Sequence, residues 1–323
     1  MAKAIRLYEH GGSDRLRWEE GPVGAPGPGE VLLRQTAVGV DYIDIYIRTG
    51  LYPRPLPSGM GFEAAGVVTA IGPRVRGIKV GDRVAYSLNT PGAYAEQRVM
   101  AAGDLVPLPR GLSDEHAAAV MLKGLTAWTL LRRTFRVRRG HVIVLPAAAG
   151  GMGLILSQWA RALGARVIGV VSSAEKAVIA RRHGCSQVLV GYEDMAQRVK
   201  ALNKGKGGDV VYDGVGKDTF FASLDCLKPL GMMVTFGNAS GAVPPFAPLE
   251  LTRRGSLFLT RPTSGDYLTT AAARRTAARE LFAMIKARKI RVMIGQRFAL
   301  RDAARAHEAL ESRRSLGSIV LVP

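Results

Sequence analysis

Three structural signals follow one another in His141-Val-Ile-Val-Leu-Pro-Ala-Ala-Ala-Gly-Gly-Met-Gly-Leu-Ile-Leu-Ser-Gln-Trp-Ala-Arg-Ala-Leu-Gly164. The apolar run at residues 142–145 predicts a buried strand, because its length suits a strand and a glycine-rich turn follows it. Apolar residues after the turn recur at helical spacing, and Gly164 stands where a glycine commonly ends a helix. The stretch therefore predicts a strand, a turn and a helix in succession.

The unit that this stretch opens has the length of a dinucleotide-binding crossover. Residues 165–171 resume an apolar strand, so that strand, helix and strand together take about thirty residues. Within it, Ala148-Ala-Gly-Gly-Met-Gly153 matches the pattern G-x-G-x-x-G except that alanine replaces the first glycine. Bare backbone lets a pyrophosphate approach, and the helix start offers N–H donors and partial positive charge. A membrane helix is the alternative, and Pro146 and the glycines interrupt the apolar run too early for one.

The chain of 323 residues changes texture near residue 125. Before that point, short apolar runs at 2–8, 30–40, 65–71, 83–86 and 94–99 are separated by glycine and proline clusters, which predicts a β-rich domain. After it, apolar strands alternate with helical patterns, and the strands are predicted at 141–145, 166–171, 187–190, 210–213, 232–236 and 256–260. This alternation predicts an α/β fold with one doubly wound sheet. Helical patterns at 271–288 and 300–312 and an apolar strand at 318–322 complete the chain.

The formal net charge is +19, and +18 of it lies beyond residue 124. A basic surface favours anionic ligands, nucleic acid or anionic membranes, and the plainer interpretation is a solvated arginine-rich surface. The arginine pairs are short and lack interleaved aromatic residues, which does not favour a specific nucleic-acid site. Cys185 and Cys226 form neither a disulfide framework nor a zinc pattern, and the first residues show no apolar signal segment. We therefore expect a cytoplasmic location and no membrane association.

Residues after the second strand of the crossover unit indicate which dinucleotide binds. NAD-binding folds commonly place a carboxylate there, where it accepts hydrogen bonds from a ribose 2′-hydroxyl. This chain has Ser172 instead, and Lys176 follows on the next predicted helix. A 2′-phosphate is bound by hydroxyls and cations rather than by a carboxylate, so the sequence favours NADPH.

Several segments together resemble a known family. They are residues 41–53 (DYIDIYIRTGLYP), 61–68 (GFEAAGVV), 122–127 (LKGLTA), 147–153 (AAAGGMG), 211–216 (VYDGVG) and 236–241 (FGNASG). With these segments the chain resembles the zinc-free quinone oxidoreductases of the medium-chain dehydrogenase/reductase superfamily, the zeta-crystallin-like group. The resemblance covers nearly the whole chain. It implies a GroES-like catalytic domain made of residues 1–124 and 267–323, with a Rossmann cofactor domain at 125–266 inserted between them.

The resemblance also implies a set of site residues. The cofactor-binding residues would be Asp41, Thr126, Ala149, Gly150, Gly151, Met152, Ser172, Lys176, Tyr192, Phe236, Gly237, Asn238, Ser240 and Ser318. Tyr46 and Tyr52 are the candidate catalytic residues, because their phenols can donate hydrogen bonds to a developing oxyanion. Packing aromatics are the alternative interpretation of both tyrosines. Asp44 and Arg48 stand at i and i+4, which predicts a local ion pair.

Zinc ligands of the zinc-dependent relatives have no counterparts in this sequence. Those relatives place cysteine in the segment matching residues 40–42, histidine at the position of Phe62 and a second cysteine near Lys123. Asp41 and Glu63 alone make a poor zinc site, so no metal is predicted. The quinone reductases carry asparagine at the position of Asp41, and an ionised aspartate can only accept hydrogen bonds.

The expected activity is zinc-independent hydride transfer from NADPH to a quinone, with orientation and exclusion of water supplied by the protein. One alternative is an NADPH-dependent enone or enoyl-thioester reductase, which differs only in the acceptor. An alternative of another class is an NADPH-binding protein with a nucleic-acid-binding role, motivated by the positive charge. The resemblance also implies a homodimer that pairs through an edge strand of the cofactor domain, for which residues 255–260 are the candidate.

Overall fold

A computed structural model describes residues 1–88 and 90–323. These residues divide into two compact units. The first unit consists of Met1–Lys123, Thr270–Phe282 and Val292–Pro323, and the second consists of Gly124–Thr269 and Ala283–Arg291. The second unit therefore includes a short segment, Ala283–Arg291, from the tail that the sequence assigns as a whole to the catalytic domain.

The strands and helices follow the chain in this order. The strands are β1 (Ala2–Leu7), β2 (Leu16–Gly21), β3 (Glu30–Val40), β4 (Ser58–Gly59), β5 (Glu63–Ile71), β6 (Arg83–Ser87), β7 (Gln97–Ala101), β8 (Val106–Pro107), β9 (Val142–Pro146), β10 (Arg166–Val171), β11 (Gln187–Val190), β12 (Gly208–Asp213), β13 (Leu227–Thr235), β14 (Phe258–Thr260), β15 (Ile294–Ala299) and β16 (Ser318–Val322). The helices are α1 (Tyr42–Arg48), α2 (Asp114–Ala118), α3 (Met121–Thr129), α4 (Gly151–Ala162), α5 (Ala174–Arg182), α6 (Met195–Leu202), α7 (Phe220–Asp225), α8 (Leu249–Arg253), α9 (Ser264–Tyr267), α10 (Ala271–Lys286) and α11 (Ala303–Glu311). No helix within the described ranges is long and apolar enough to span a bilayer.

The first unit is built on two sheets. A small sheet has the strand order β2-β1-β4, and a larger sheet has the order β15-β16-β3-β5-β6-β8 with β7 also paired to β3. Strand β3 pairs antiparallel with β5, β7 and β16, so the last strand of the chain joins a sheet that begins near residue 30. Large apolar side chains such as Leu33, Phe62 and Leu321 fill its core. This unit has the β-rich architecture that the sequence predicts.

The second unit contains a parallel sheet with the strand order β11-β10-β9-β12-β13-β14. This order is that of a doubly wound dinucleotide-binding fold, so the predicted Rossmann architecture is confirmed. Strand β9 is buried along its whole length, because crossover helices cover both faces of such a sheet. The predicted boundaries of β10 and β11 agree with the structure, whereas β13 begins at Leu227, five residues before the predicted start at 232.

Candidate functional site

The turn between β9 and α4 leaves a helix start without side chains. The N-cap of α4 is Gly150, and no side chain caps the helix. A Cβ on Gly153 would lie 2.5 Å from the carbonyl oxygen of Ala147, so only glycine fits there. The first N–H groups of a helix have no acceptor within the helix, and they attract anions together with the helix dipole. The turn therefore fits a diphosphate, and the predicted residues Ala149, Gly150, Gly151 and Met152 all lie in it.

The residues predicted for a 2′-phosphate meet at the ends of β10 and β11. Val171 pairs with Val190, and the N–H of Gly191 donates to the carbonyl of Val171 at 2.9 Å. The two strands end side by side. Ser172 follows β10 directly, and Tyr192 follows β11 after one intervening residue. Both strands run parallel, so these residues and the first turn of α5 share one edge of the sheet.

Lys176 lies in that first turn of α5. Ser173 caps the helix by accepting a hydrogen bond from the N–H of Lys176, which fixes the start of α5 beside the end of β10. Burial lowers the pKa of the Lys176 ammonium, and the negative charge of Glu175 partly opposes this shift. An anion at this place would offset that desolvation. Ser172 and Glu175 are exposed, and Lys176 is half-buried, so the edge presents a hydroxyl and a cation.

A buried carboxylate that sequence reasoning did not assign organises the loop after β12. Asp213 is fully buried at the end of this strand. Its side chain accepts hydrogen bonds from Val215 N, Gly216 N, Thr219 Oγ1 and Ser223 Oγ at 2.7–3.1 Å. An acidic residue at the end of an apolar strand is the sequence signal for it. Asp213 thus fixes the loop against which the predicted nicotinamide residues pack.

The residues predicted to bind the nicotinamide half lie in the loop after β13. Gly237 approaches Gly214 so closely that a Cβ would lie 2.3 Å from the Gly214 carbonyl oxygen. The Ser240 hydroxyl donates to the carbonyl of Val215 at 2.9 Å, so this hydroxyl holds the loop together. Phe236 and Asn238 are half-buried at the same edge.

Arg261 is a further residue that sequence reasoning missed. Its guanidinium donates to Thr235 Oγ1 and to the carbonyl of Gly237, both at 3.0 Å. The arginine follows β14 directly, and no local sequence pattern connects it to the loop after β13. It stabilises the conformation of the predicted nicotinamide loop.

Thr126 lies on α3 and is half-buried. Its hydroxyl is within hydrogen-bond distance of Ser264 Oγ, at 3.2 Å, on the short helix α9. The expected contact of Thr126 with the nicotinamide half of a cofactor stays a prediction.

The two candidate catalytic tyrosines lie together in the first unit. The ring centroids of Tyr46 and Tyr52 are 5.1 Å apart with the rings edge to face, and those of Tyr42 and Tyr46 are 6.0 Å apart. The N–H of Tyr52 donates to the carbonyl of Tyr46 at 2.9 Å, which fixes the pair. Tyr46 is buried and Tyr52 is half-buried. The geometry fits aromatic packing, and Tyr52 is the more accessible phenol.

Four ionisable side chains, Asp41, Asp44, Glu63 and Lys123, form a buried group that we call the acid cluster. Lys123 Nζ lies 2.6 Å from Asp41 Oδ1 and 2.9 Å from Glu63 Oε1. Asp44 and Glu63 are 0% exposed, whereas Asp41 and Lys123 are 7% and 6% exposed. Asp41 and Lys123 are therefore the members of the cluster nearest to the surface.

Electrostatics within the acid cluster shift the pKa of three members. Burial alone would lower the pKa of Lys123, but the adjacent carboxylates of Asp41 and Glu63 raise it well above its usual value. Burial, followed by the charge of Asp41, raises the pKa of Glu63. The same two causes raise the pKa of Asp44 to about 8. One ammonium is thus shared among more carboxylates than it neutralises.

Asp44 does not form the ion pair with Arg48 that the helical spacing predicts. Asp44 Oδ2 accepts from Asp41 N at 2.8 Å and from the Tyr94 hydroxyl at 3.0 Å, and its Oδ1 has no hydrogen-bond partner. Arg48 instead binds Glu311, with 2.6 Å between Nη2 and Oε1. The prediction was wrong because tertiary partners outcompete a local pair that is worth only tenths of a kcal/mol.

A hydrogen-bond chain leads from Arg48 to Asp44. Burial, followed by the charge of Arg48, lowers the pKa of His307 to about 3, so the imidazole is neutral at pH 7. Arg48 Nη1 faces His307 Nδ1 at 3.5 Å, which makes that nitrogen the acceptor. His307 Nε2 then donates to the Tyr94 hydroxyl, and Tyr94 donates to Asp44, each at 3.0 Å.

The side chains at the expected zinc positions do not fit a zinc ion. Phe62 is a buried core residue, and the ammonium of Lys123 stands between the two nearest carboxylates. Among the residues that the structure describes, no group of three or more His, Cys, Asp or Glu side chains could hold a metal. Zinc requires a convergent set of deprotonated ligands, which an ammonium displaces.

Ser318 lies on β16, where its hydroxyl donates to the carbonyl of Ala119 at 2.9 Å. The side chain is 3% exposed. The hydroxyl hydrogen is therefore used within the first unit, and the expected contact of Ser318 with the cofactor stays a prediction.

The chain is similar to known proteins both in sequence and in structure. Two family models match it, the alcohol dehydrogenase GroES-like domain over residues 27–110 and the zinc-binding dehydrogenase over residues 151–274. The quinone oxidoreductase of Pseudomonas aeruginosa is 51% identical, with 100% of both chains covered. A 2-haloacrylate reductase from Burkholderia sp is 45% identical over 100% of this chain and 99% of its own. The crystal structure of Escherichia coli quinone oxidoreductase complexed with NADPH is 45% identical, covers 100% of both chains and gives a TM-score of 0.96.

Proposed function

Because the chain belongs to the zinc-free quinone oxidoreductases of the medium-chain dehydrogenase/reductase superfamily, we propose that it is an enzyme that reduces a quinone with NADPH. The cofactor supplies a hydride from its nicotinamide ring when bound. The single observation that carries the proposal is one sheet edge of the second unit. The start of α4, which no side chain caps, follows β9 there, and Ser172 and Lys176 follow the neighbouring parallel strand β10. This edge suits a dinucleotide that bears a 2′-phosphate.

In this proposal the residues of the chain bind the cofactor and the quinone and orient them. The first N–H groups of α4 bind the diphosphate, with Ala149, Gly150, Gly151 and Met152 around it. Ser172, Lys176 and Tyr192 bind the 2′-phosphate. Thr126 and the loop after β13, with Phe236, Gly237, Asn238 and Ser240, hold the nicotinamide half. We also assign Asp41 and Ser318 to the cofactor, and Tyr46 and Tyr52 to the quinone as hydrogen-bond donors.

The similar proteins do not favour the two alternative functions. Full-length relatives at 45–51% identity carry the name quinone oxidoreductase, and an Escherichia coli relative binds NADPH in its crystal structure. The Burkholderia 2-haloacrylate reductase shows that a similar sequence can act on an electron-poor alkene. An acceptor screen should therefore include both chemical classes.

The cofactor assignment is tested by substitution of Lys176. Losing one charge-assisted hydrogen bond costs about 1.5–3 kcal/mol, which predicts that Lys176→Ala weakens NADPH binding roughly 10- to 150-fold. NADH affinity should stay unchanged, because NADH has no 2′-phosphate. Isothermal titration of both cofactors measures the two affinities, and exposed Lys206→Ala is the matched control. Equal affinity of the wild-type protein for NADH and NADPH would contradict the assignment.

The proposed reaction is tested by steady-state kinetics with NADPH. Simple quinones should be reduced with a higher kcat/KM than enones, enoyl thioesters or 2-haloacrylates. A preference for any of those alkenes over every quinone would replace quinone reduction with alkene reduction as the function.

We further propose that the protein is a cytoplasmic homodimer. Strand β14 lies at the edge of the parallel sheet, where Phe258 is 57% exposed and the nearby Leu230 is 66% exposed. Leu230 N donates to Gly255 O at 2.8 Å, so Leu230 lies beside the segment that leads into β14. An exposed edge with apolar side chains readily pairs with a second copy. Cys185 and Cys226 are buried free thiols, which suits a reducing compartment.

A further inference from the structure

The acid cluster holds more carboxylates than cations. If Asp41, Asp44 and Glu63 all ionise, the single ammonium of Lys123 leaves two negative charges in a region that is at most 7% exposed. Arg48 is the nearest other cation on the same hydrogen-bond chain, and its charge is matched by Glu311. An uncompensated buried carboxylate takes up a proton rather than remain ionised. The cluster therefore stores at least one proton near neutral pH.

Three members of the cluster form a line from the interior toward the surface. Glu63 is 0% exposed and lies 2.9 Å from Lys123 Nζ, and the same nitrogen lies 2.6 Å from Asp41, which is 7% exposed. An ammonium that gives a proton to Asp41 and takes one from Glu63 returns to its initial state. Asp41 Oδ2 is buried without a hydrogen-bond partner, so this oxygen of the outermost carboxylate can take up the proton.

The pKa directions agree with this geometry. Burial raises the pKa of Asp44 to about 8, so Asp44 holds a proton at pH 7, and burial also raises the pKa of Glu63, which favours its protonated form. Besides its own four members, the acid cluster faces three further charged or titratable groups, which are Tyr94, His307 and Arg48. Tyr94 and His307 stay neutral, because burial raises the pKa of the phenol and lowers that of the imidazole.

We propose that the acid cluster is the source of the proton in quinone reduction and delivers it through Lys123 and Asp41. This inference rests on the proposed function, since reduction of a quinone adds one hydride and one proton. The hydride converts the quinone into a hydroquinone monoanion. The O–H bond of protonated Asp41 then breaks, the phenolate oxygen of the monoanion takes the proton, and neutral hydroquinone forms. The cluster gains one negative charge and regains a proton from water.

Infrared spectroscopy of the protein without cofactor tests the stored proton. At pH 7 the wild-type spectrum should contain the carbonyl stretch of a protonated carboxyl group, and Glu63→Gln should weaken it. Asp44→Asn should remove the part of this band that Glu63→Gln leaves. The variant keeps the local hydrogen bonds, because an asparagine oxygen can still accept from Asp41 N and from Tyr94. A wild-type spectrum without this band at pH 7 would overturn the proposal, whatever the activity.

Steady-state kinetics with two acceptors test whether the cluster delivers its proton to the quinone. N-methylphenazinium is a cation that becomes neutral on accepting a hydride, so its reduction needs no proton. A positioned general acid contributes roughly 10²–10⁴-fold, so Glu63→Gln should lower kcat for a quinone at least about tenfold. Reduction of N-methylphenazinium should change less than about twofold, as expected when the proton step is absent.

Asp44→Asn is the second variant if Glu63→Gln does not fold, and it should give the same contrast between acceptors, because Asp44 belongs to the acid cluster and not to the proposed cofactor site. Equal losses with both acceptors, or an unchanged quinone rate, would overturn the proposal. A wild-type protein that reduces no quinone would instead refute the proposed function, while the infrared band still reports the stored proton.

Discussion

Replacing Lys123 with methionine should destabilise the first unit strongly, because it leaves buried carboxylates without their cation. Methionine matches the length of the lysine stem, so the change removes the charge and little of the packing. The ammonium lies within 3 Å of both Asp41 and Glu63, at 2.6 and 2.9 Å. Removing one partner of a buried ion pair typically costs about 3–5 kcal/mol of unfolding free energy. We expect this loss for Lys123→Met at pH 8.

The loss of unfolding free energy in Lys123→Met should become smaller as the pH falls. Burial already raises the pKa of Glu63 in the folded wild type and the charge of Lys123 opposes this shift, so loss of the ammonium raises that pKa further above its unfolded value of about 4. A group with a raised folded pKa stabilises the folded state below its unfolded pKa and loses that contribution as the pH rises through the folded pKa. Urea unfolding followed by circular dichroism should therefore show a smaller difference from the wild type at pH 5 than at pH 8.

Lys228→Met is the matched control. Lys228 also forms an ion pair, with 2.5 Å between its Nζ and Asp209 Oδ1, but its side chain is 46% exposed. An exposed pair contributes about 0–1 kcal/mol, so this variant should lie close to the wild type. The reasoning fails if Lys123→Met loses less than about 1 kcal/mol at pH 8, or if its deficit is the same at both pH values.

Three further substitutions have defined outcomes. Gly153→Ala places a Cβ 2.5 Å from Ala147 O, so overpacking should cost about 1–3 kcal/mol in urea unfolding and weaken NADPH binding in a titration. Asp44→Asn should gain stability relative to the wild type as pH rises from 5 to 9 in thermal melts, because the raised pKa of Asp44, about 8, makes its ionisation unfavourable. Phe258→Lys should give a monomer in analytical ultracentrifugation if β14 forms the dimer edge; a dimer would reject that interface.

Local sequence patterns were sufficient to predict the bounds of two strands of the cofactor unit. Strands β10 and β11 agree with their predicted bounds, and Gly164, with a φ of +85°, follows the C-cap residue of α4. These features are local, since an apolar run and a glycine carry their conformational preference with them. The small strands β4 and β8 were not predicted, because two-residue pairings depend on a partner strand that is distant in sequence.

Charged residues of the site were much harder to interpret. Asp44 and Arg48 have the spacing of a local pair, yet each finds a partner elsewhere, Asp44 in Tyr94 and Arg48 in Glu311. Lys123 was considered only as a position without a zinc ligand. Its contacts with Asp41 and Glu63 join residues 82 and 60 positions apart, and no periodic pattern reports such a contact.

The amino-acid sequence by itself determined the alternation of strands and helices and the glycine turn that opens α4, and it supplied the prediction of a phosphate near Ser172, because all three depend on neighbours along the chain. Only the tertiary structure decided which carboxylates share the ammonium of Lys123 and how deeply they are buried. Coulomb energy and desolvation depend on distance in space and on exclusion of water, and both are established only when the strands and helices of the unit pack together.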